Sequence, residues 1–131
     1  DEPSLIFSNI KEDKEDGILT ASEIFDLNVS NDLVILSACN TFSSSSDSIH
    51  KISGLANSFI LAGSNNLILS RWPVDSEATM YLMTKFYRSI IFSNEDGFSN
   101  DYSASLRWAM LETKKVEEHP FYWAPFFIIG N

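Results

Sequence analysis

Apolar positions along the chain fall into short unbroken runs, separated by stretches in which they recur every three or four residues. Ser4 to Ser8 is the first run and predicts a short strand. Asn9 to Asp16 follows as a solvated loop, because Lys11 to Asp16 alternates in sign and buries nothing. Thr20-Ala21-Ser22-Glu23 puts a hydroxyl three residues ahead of a carboxylate, so each side chain can satisfy a free backbone N–H at a helix start. Ile24, Phe25 and Leu27 give that helix an apolar face, and it ends near Asn28. Asp32 to Ala38 carries Leu33-Val34-Ile35-Leu36 without alternation, the pattern of a parallel strand covered on both faces. Phe42 to Asp47, with its run of serines, predicts a low-complexity loop and a candidate mobile or processed segment.

From Ile52 the period changes to that of a helix through Leu55, Ala56, Phe59 and Ile60, and Gly63 supplies a left-handed residue to end it. Leu67-Ile68-Leu69 is the next strand, and Trp72-Pro73-Val74-Asp75 leaves it. A helix from about Ser76 to Phe92 presents Ala78, Met83, Phe86 and Ile90 on one side, and Asn94 to Asn100 breaks it. Tyr102, Leu106, Ala109, Met110 and Thr113 line a further helix, and Phe126 to Ile129 closes the chain as a last strand. Apolar strands alternating with amphipathic helices predict an α/β fold with a mostly parallel sheet and helices on both faces. Asp32 to Ala38, Asn66 to Ser70 and Pro125 to Ile129 are the expected parallel neighbours. The working surface of such a sheet lies beyond the C-terminal ends of its strands, where Cys39 and Arg71 to Asp75 fall.

Composition narrows the function classes. The 131 residues allow one domain and no more, and no linker divides them. Eighteen acidic against nine basic residues give a net charge of −9, which works against a nucleic-acid backbone as a direct partner. No apolar stretch approaches the ~20 residues that span a bilayer, so no membrane partner is expected. A single cysteine excludes an internal disulfide and fits a reducing, cytoplasmic setting. No Gly-rich phosphate loop or metal-spaced cluster occurs, so neither cofactor nor metal is expected. The chain begins at Asp1 without a leader and reads as a piece of a longer one.

Cys39 stands at a strand-to-loop junction within Leu36-Ser37-Ala38-Cys39-Asn40-Thr41, where a thiol can react and turn N–H groups can stabilise an anion. The alternative is a buried cysteine acting as a small hydrophobe. A thiol with an ordinary pKa of ~8.5 needs a base or cation nearby. Neither histidine is spaced to supply one: His50 reads as a surface-loop residue and His119 as structural, at the entry to the last strand.

Three segments carry a resemblance to a known family: Leu33 to Thr41; Gly54-Leu55-Ala56 with Phe59 and Ala62-Gly63; and Leu69-Ser70-Arg71-Trp72-Pro73-Val74-Asp75 with Thr79, Leu82 and Phe86. His119-Pro120-Phe121-Tyr122-Trp123-Ala124-Pro125-Phe126 with Gly130 and the upstream Asp16 to Ile24 extend it. Together they resemble the CHAT domain, a caspase-like and separase-like cysteine peptidase domain often fused to TPR repeats. The resemblance implies that residues 1–131 are the C-terminal portion of a single such domain, lacking its N-terminal strands. It implies a cysteine endopeptidase with Cys39 as nucleophile. Caspase-type enzymes carry their histidine about 50 residues before the cysteine, a position that lies before residue 1 here. The base is therefore expected upstream, with the fragment inactive alone.

Ser70, Trp72 and Asp75 are implied to bind a peptide substrate, which adds a strand beside the one leading into that loop. The other implied partner is the remainder of the same chain, including TPR repeats. Asp75 is the candidate to hold a basic side chain; its rival role is the N-cap of the following helix. Trp72 reads equally as a packing residue at the cleft wall. The chain departs from the family pattern at Phe42, where Gly is usual, at Ile49 to Lys51, and at Ser76 in place of a second acid. A remodelled cleft would make the domain a non-catalytic interaction or scaffolding module, the alternative function.

Overall fold

The computed structural model describes residues 2–7, 16–37, 46–92 and 101–130, the side chains of 46–53 excepted. The described residues divide into two units, one formed by residues up to Leu36 together with 46–67 and the final strand end, the other mainly by Ile68–Ile128.

In the first unit, β1 (Ser4–Ile6) pairs antiparallel with β2 (Ile18–Thr20), Leu5 opposite Leu19. Backbone bonds from Phe7 to Gly17 and from Ala21 to Pro3 continue that ladder at both ends. The sequence reading assigned no strand to Ile18–Thr20; three residues are too short to show a period. Helix α1 (Ala21–Asp26) starts at the expected capping box: Thr20 accepts from the Glu23 N–H, and the Glu23 carboxylate accepts from the Thr20 N–H at 2.8 Å. Ile24 is its buried residue, and Asn28 takes a positive φ of 31° beyond the helix end.

Helix α2 (Ser46–Leu61) begins six residues before the predicted start at Ile52, so Ser46 and Asp47 belong to a helix rather than a serine loop, as does the backbone of His50. Ser and Asp suit a first turn, and neither Gly nor Pro interrupts residues 46–53; the polar first turns hid the helix from an apolar count. Leu55, Ala56 and Phe59 are buried as expected, whereas Ile60 faces outward. Gly54 is required by contact: a Cβ there would stand 2.7 Å from the Pro3 ring. Gly63, at φ +108°, ends the helix run as predicted.

A three-stranded sheet has the order β3 (Val34–Leu36), β4 (Asn66–Ser70), β5 (Phe126–Gly130). β3 and β4 begin side by side, with the Asn65 N–H on Asn31 O and Asn66 Nδ2 on Asp32 O, so they run parallel. Leu67, Ile68, Leu69 and Ser70 are all buried; since successive residues point to opposite faces, β4 is covered on both.

β5 departs from the expected mostly parallel arrangement. The Arg71 N–H, just past the end of β4, donates to Pro125 O, just before β5, and Gly130 lies against Asn66 at the start of β4. β5 is antiparallel to β4, and this three-stranded sheet is mixed. The reason lies in the second unit, where α3 (Ser76–Ile91) packs on α4 (Tyr102–Lys114). Ser89 late in α3 bonds Ser105 early in α4, so the two form an antiparallel hairpin. One helix carries the chain away from the end of β4 and the other returns it, which obliges the next strand to run backwards.

The core of this hairpin is Ala78, Leu82, Phe86 and Ser89 from α3 against Leu106, Ala109 and Thr113 from α4. Ala78 and Phe86 were expected; the centre of the face passes through Leu82 and Ser89 rather than Met83 and Ile90. Removing Phe86 and Leu82 from water contributes roughly 1.5–3 kcal/mol each. A one-turn helix, α5 (Pro120–Trp123), packs on both α3 and α4 and leads into β5.

Candidate active site

The loop after β4 starts from a fixed base. Ser70 ends the strand at 4% exposure. Arg71 follows with its N–H on Pro125 O at 2.8 Å and its guanidinium 5.2 Å above the Phe127 ring. Trp72 is half-buried; its Nε1–H donates to Phe121 O at 3.0 Å, and its ring stacks on that of Phe121 with centroids 6.5 Å apart and planes 22° apart.

Pro73 removes a donor and leads the chain out of the strand. Asp75 is exposed and caps α3: its Oδ1 accepts from the N–H groups of Glu77 at 3.1 Å and Ala78 at 2.9 Å, and its backbone oxygen accepts from Thr79. The capping role considered from sequence is therefore present. Because both side-chain bonds land on Oδ1, Oδ2 has no partner among the described residues.

The opposite wall of this loop is α5. His119 is its N-cap, with Nδ1 accepting from the Phe121 N–H at 3.2 Å, and Pro120 occupies the first helical position, where its missing N–H costs nothing. Tyr122 sets its ring edge-on to those of His119 and Phe121. Trp123 Nε1–H donates to Glu118 O at 3.3 Å, and the Lys114 ammonium lies 5.1 Å over its ring. With Nδ1 committed to the cap, His119 has the structural place expected of it.

Two motifs nearly fifty residues apart, Leu69 to Asp75 and His119 to Phe126, thus meet as one assembly. A family model described as the CHAT domain matches residues 1–131. This chain belongs to the CHAT domain family. Its relatives include tetratricopeptide repeat protein 28 of Homo sapiens and of Mus musculus, each 27% identical over 114 residues, which is 87% of this chain. The chain spans 4% of the length of these curated relatives. No solved structure matches it.

Of the site residues expected for a CHAT domain, Ser70, Trp72 and Asp75 stand along one stretch of backbone leaving β4. Cys39 lies outside the described residues, as do Phe42 and the side chains of Ile49, His50 and Lys51. Among the described residues no three His, Cys, Asp or Glu side chains are grouped to hold a metal ion, and no helix is long and apolar enough to cross a membrane. Elsewhere, in the first unit, a cavity of about 470 Å³ is lined by Asn57, Ile60, Gly63, Asn65, Ile129 and Gly130, none of them charged.

Sequence reasoning missed the part of Phe121, whose backbone oxygen and ring both hold Trp72. The available signal was His119-Pro120, a cap followed by a helix-starting proline, which announces a helical turn directly before the last strand.

Proposed function

We propose that this CHAT domain is the nucleophile-bearing, C-terminal portion of a caspase-like cysteine endopeptidase. Cys39 attacks the peptide carbonyl, and a histidine outside these 131 residues takes the thiol proton and passes it to the leaving amine. Water then hydrolyses the acyl-enzyme. The observation that carries the reading is the family match over all 131 residues.

The geometry of the β4 loop supports it. Parallel strands that begin together deliver their following loops to one sheet edge, where α/β proteins build their sites, and Cys39 follows β3 by three residues as Arg71 follows β4 by one. Ser70 and Trp72 form a rigid floor and wall for a substrate strand. Asp75 offers the oxygen that the helix cap leaves open to a Lys or Arg side chain before the scissile bond. The relatives named as tetratricopeptide repeat proteins support a context in which the domain is attached to such repeats; a reducing, cytoplasmic setting suits a reactive thiol.

Cys39→Ala in the full-length protein is the test: loss of cleavage with unchanged thermal stability supports the peptidase. Retained cleavage removes Cys39 as the nucleophile, whereas a parent protein that cleaves under no activating condition favours a non-catalytic interaction domain, the second reading suggested by Phe42 and Ile49 to Lys51.

A further inference from the structure

The loop from Arg71 to Asp75 is held by a separate element that has no side chain in the proposed chemistry. Phe121 grips Trp72 twice, through its backbone oxygen and through its ring. Pro125 and Phe127, on the same stretch of chain, hold the backbone and guanidinium of Arg71. The stretch is itself tied down at its start: His119 caps it, and Trp123 is fixed by Glu118 O and by Lys114 of α4. Phe121 is 41% exposed, so its ring packs on Trp72 without being part of the buried core.

We propose that Phe121 is a positioning residue, whose stack on Trp72 fixes the β4 loop in the conformation that receives the substrate. This rests on the reading of Ser70 to Asp75 as the substrate-binding loop. A flexible loop must be ordered each time a peptide binds, whereas a loop braced in advance avoids that entropic cost. The brace therefore acts on substrate capture rather than on the thiol.

The test uses the full-length protein and two variants. Phe121→Ala removes the ring but keeps the backbone oxygen, and its exposure means that no core cavity follows; Phe121→Tyr restores the ring. Phe121→Ala is expected to raise KM about tenfold, equivalent to ~1.4 kcal/mol of lost binding, with kcat within about twofold of the parent. The Arg71 amide should exchange faster with solvent, while melting temperature and the alkylation rate of Cys39 by iodoacetamide stay unchanged. Phe121→Tyr should return KM and exchange to parental values.

Unaltered Arg71 exchange in Phe121→Ala would overturn the brace, as would faster exchange without a change in KM, or failure of Phe121→Tyr to rescue. Cys39→Ala run in parallel separates the two claims. Cleavage that survives it removes the peptidase reading by itself, and the exchange at Arg71 then still decides whether Phe121 holds the loop.

Discussion

The hydroxyls of Ser89 and Ser105 meet at 3.1 Å between α3 and α4, at 2% and 1% exposure. Each is the other's partner inside the α3–α4 packing that returns the chain to the end of β4. Ser89→Ala or Ser105→Ala alone strands a buried hydroxyl and should cost about 1–3 kcal/mol, whereas the double variant should cost less than the sum of the two. Urea unfolding of the four proteins measures the coupling, and strict additivity would mean that the bond contributes nothing.

Asp75 separates capping from charge. Asp75→Ala should destabilise by ~1 kcal/mol through loss of the α3 cap, and Asp75→Asn by much less, since an amide oxygen accepts the same backbone bonds. In the active full-length protein Asp75→Asn should nevertheless lower kcat/KM for substrates with Lys or Arg before the scissile bond about tenfold. A cleavage profile unchanged by Asp75→Asn assigns the residue to the cap alone.

The thiol prediction is a contrast between activity and stability. If Cys39 is the proposed nucleophile, Cys39→Ala should abolish turnover and leave the melting temperature within a degree or so, because a thiol accessible for reaction fills little core volume. A loss of several kcal/mol with turnover intact would identify a structural cysteine.

Two exposed carboxylates make a small contribution to the acid limb of stability. Asp101, N-cap of α4, is held below the usual carboxylate range by the Ser103 hydroxyl and the Ala104 and Ser103 N–H groups; Glu2 is lowered by the Ser22 hydroxyl and N–H. A carboxyl whose folded pKa is lowered contributes stability in full above its unfolded value, near pH ~4, and loses it as pH falls through the folded value. Helical signal should therefore decline below about pH 4. Asp101→Asn, which keeps the cap but cannot ionise, should make that acid limb shallower; an identical limb would show that this carboxylate is not among its causes.

Much of this architecture is legible locally. The Thr20–Glu23 box, the Gly63 stop, the unbroken apolar run of β4 and the Asp75 cap each depend on residues within a few positions of one another, and local patterning is enough to specify them. The start of α2 was missed for the converse reason, since a helix with polar first turns offers no apolar period to count.

The candidate site divides the same way. Arg71 to Asp75 could be nominated from sequence because a strand with an abrupt Trp-Pro exit marks a sheet edge, and the family pattern pointed to the same residues. That Phe121 holds Trp72, that Pro125 holds Arg71, and that Asp75 turns one oxygen to the helix could not be read there.

What the sequence by itself determined, then, was the longer strands and helices, the caps at Thr20, Gly63 and Asp75, and the family; these rest on short-range periodicity and on motifs kept in order. The tertiary structure alone decided the antiparallel course of β5 and the joining of the β4 loop to α5. Both depend on how the α3–α4 hairpin returns the chain to the end it left, and that return is set by packing Leu82, Phe86 and Ser89 against Ser105, Leu106 and Ala109. Which buried faces meet is a question of three-dimensional complementarity, to which no local spacing in the chain corresponds.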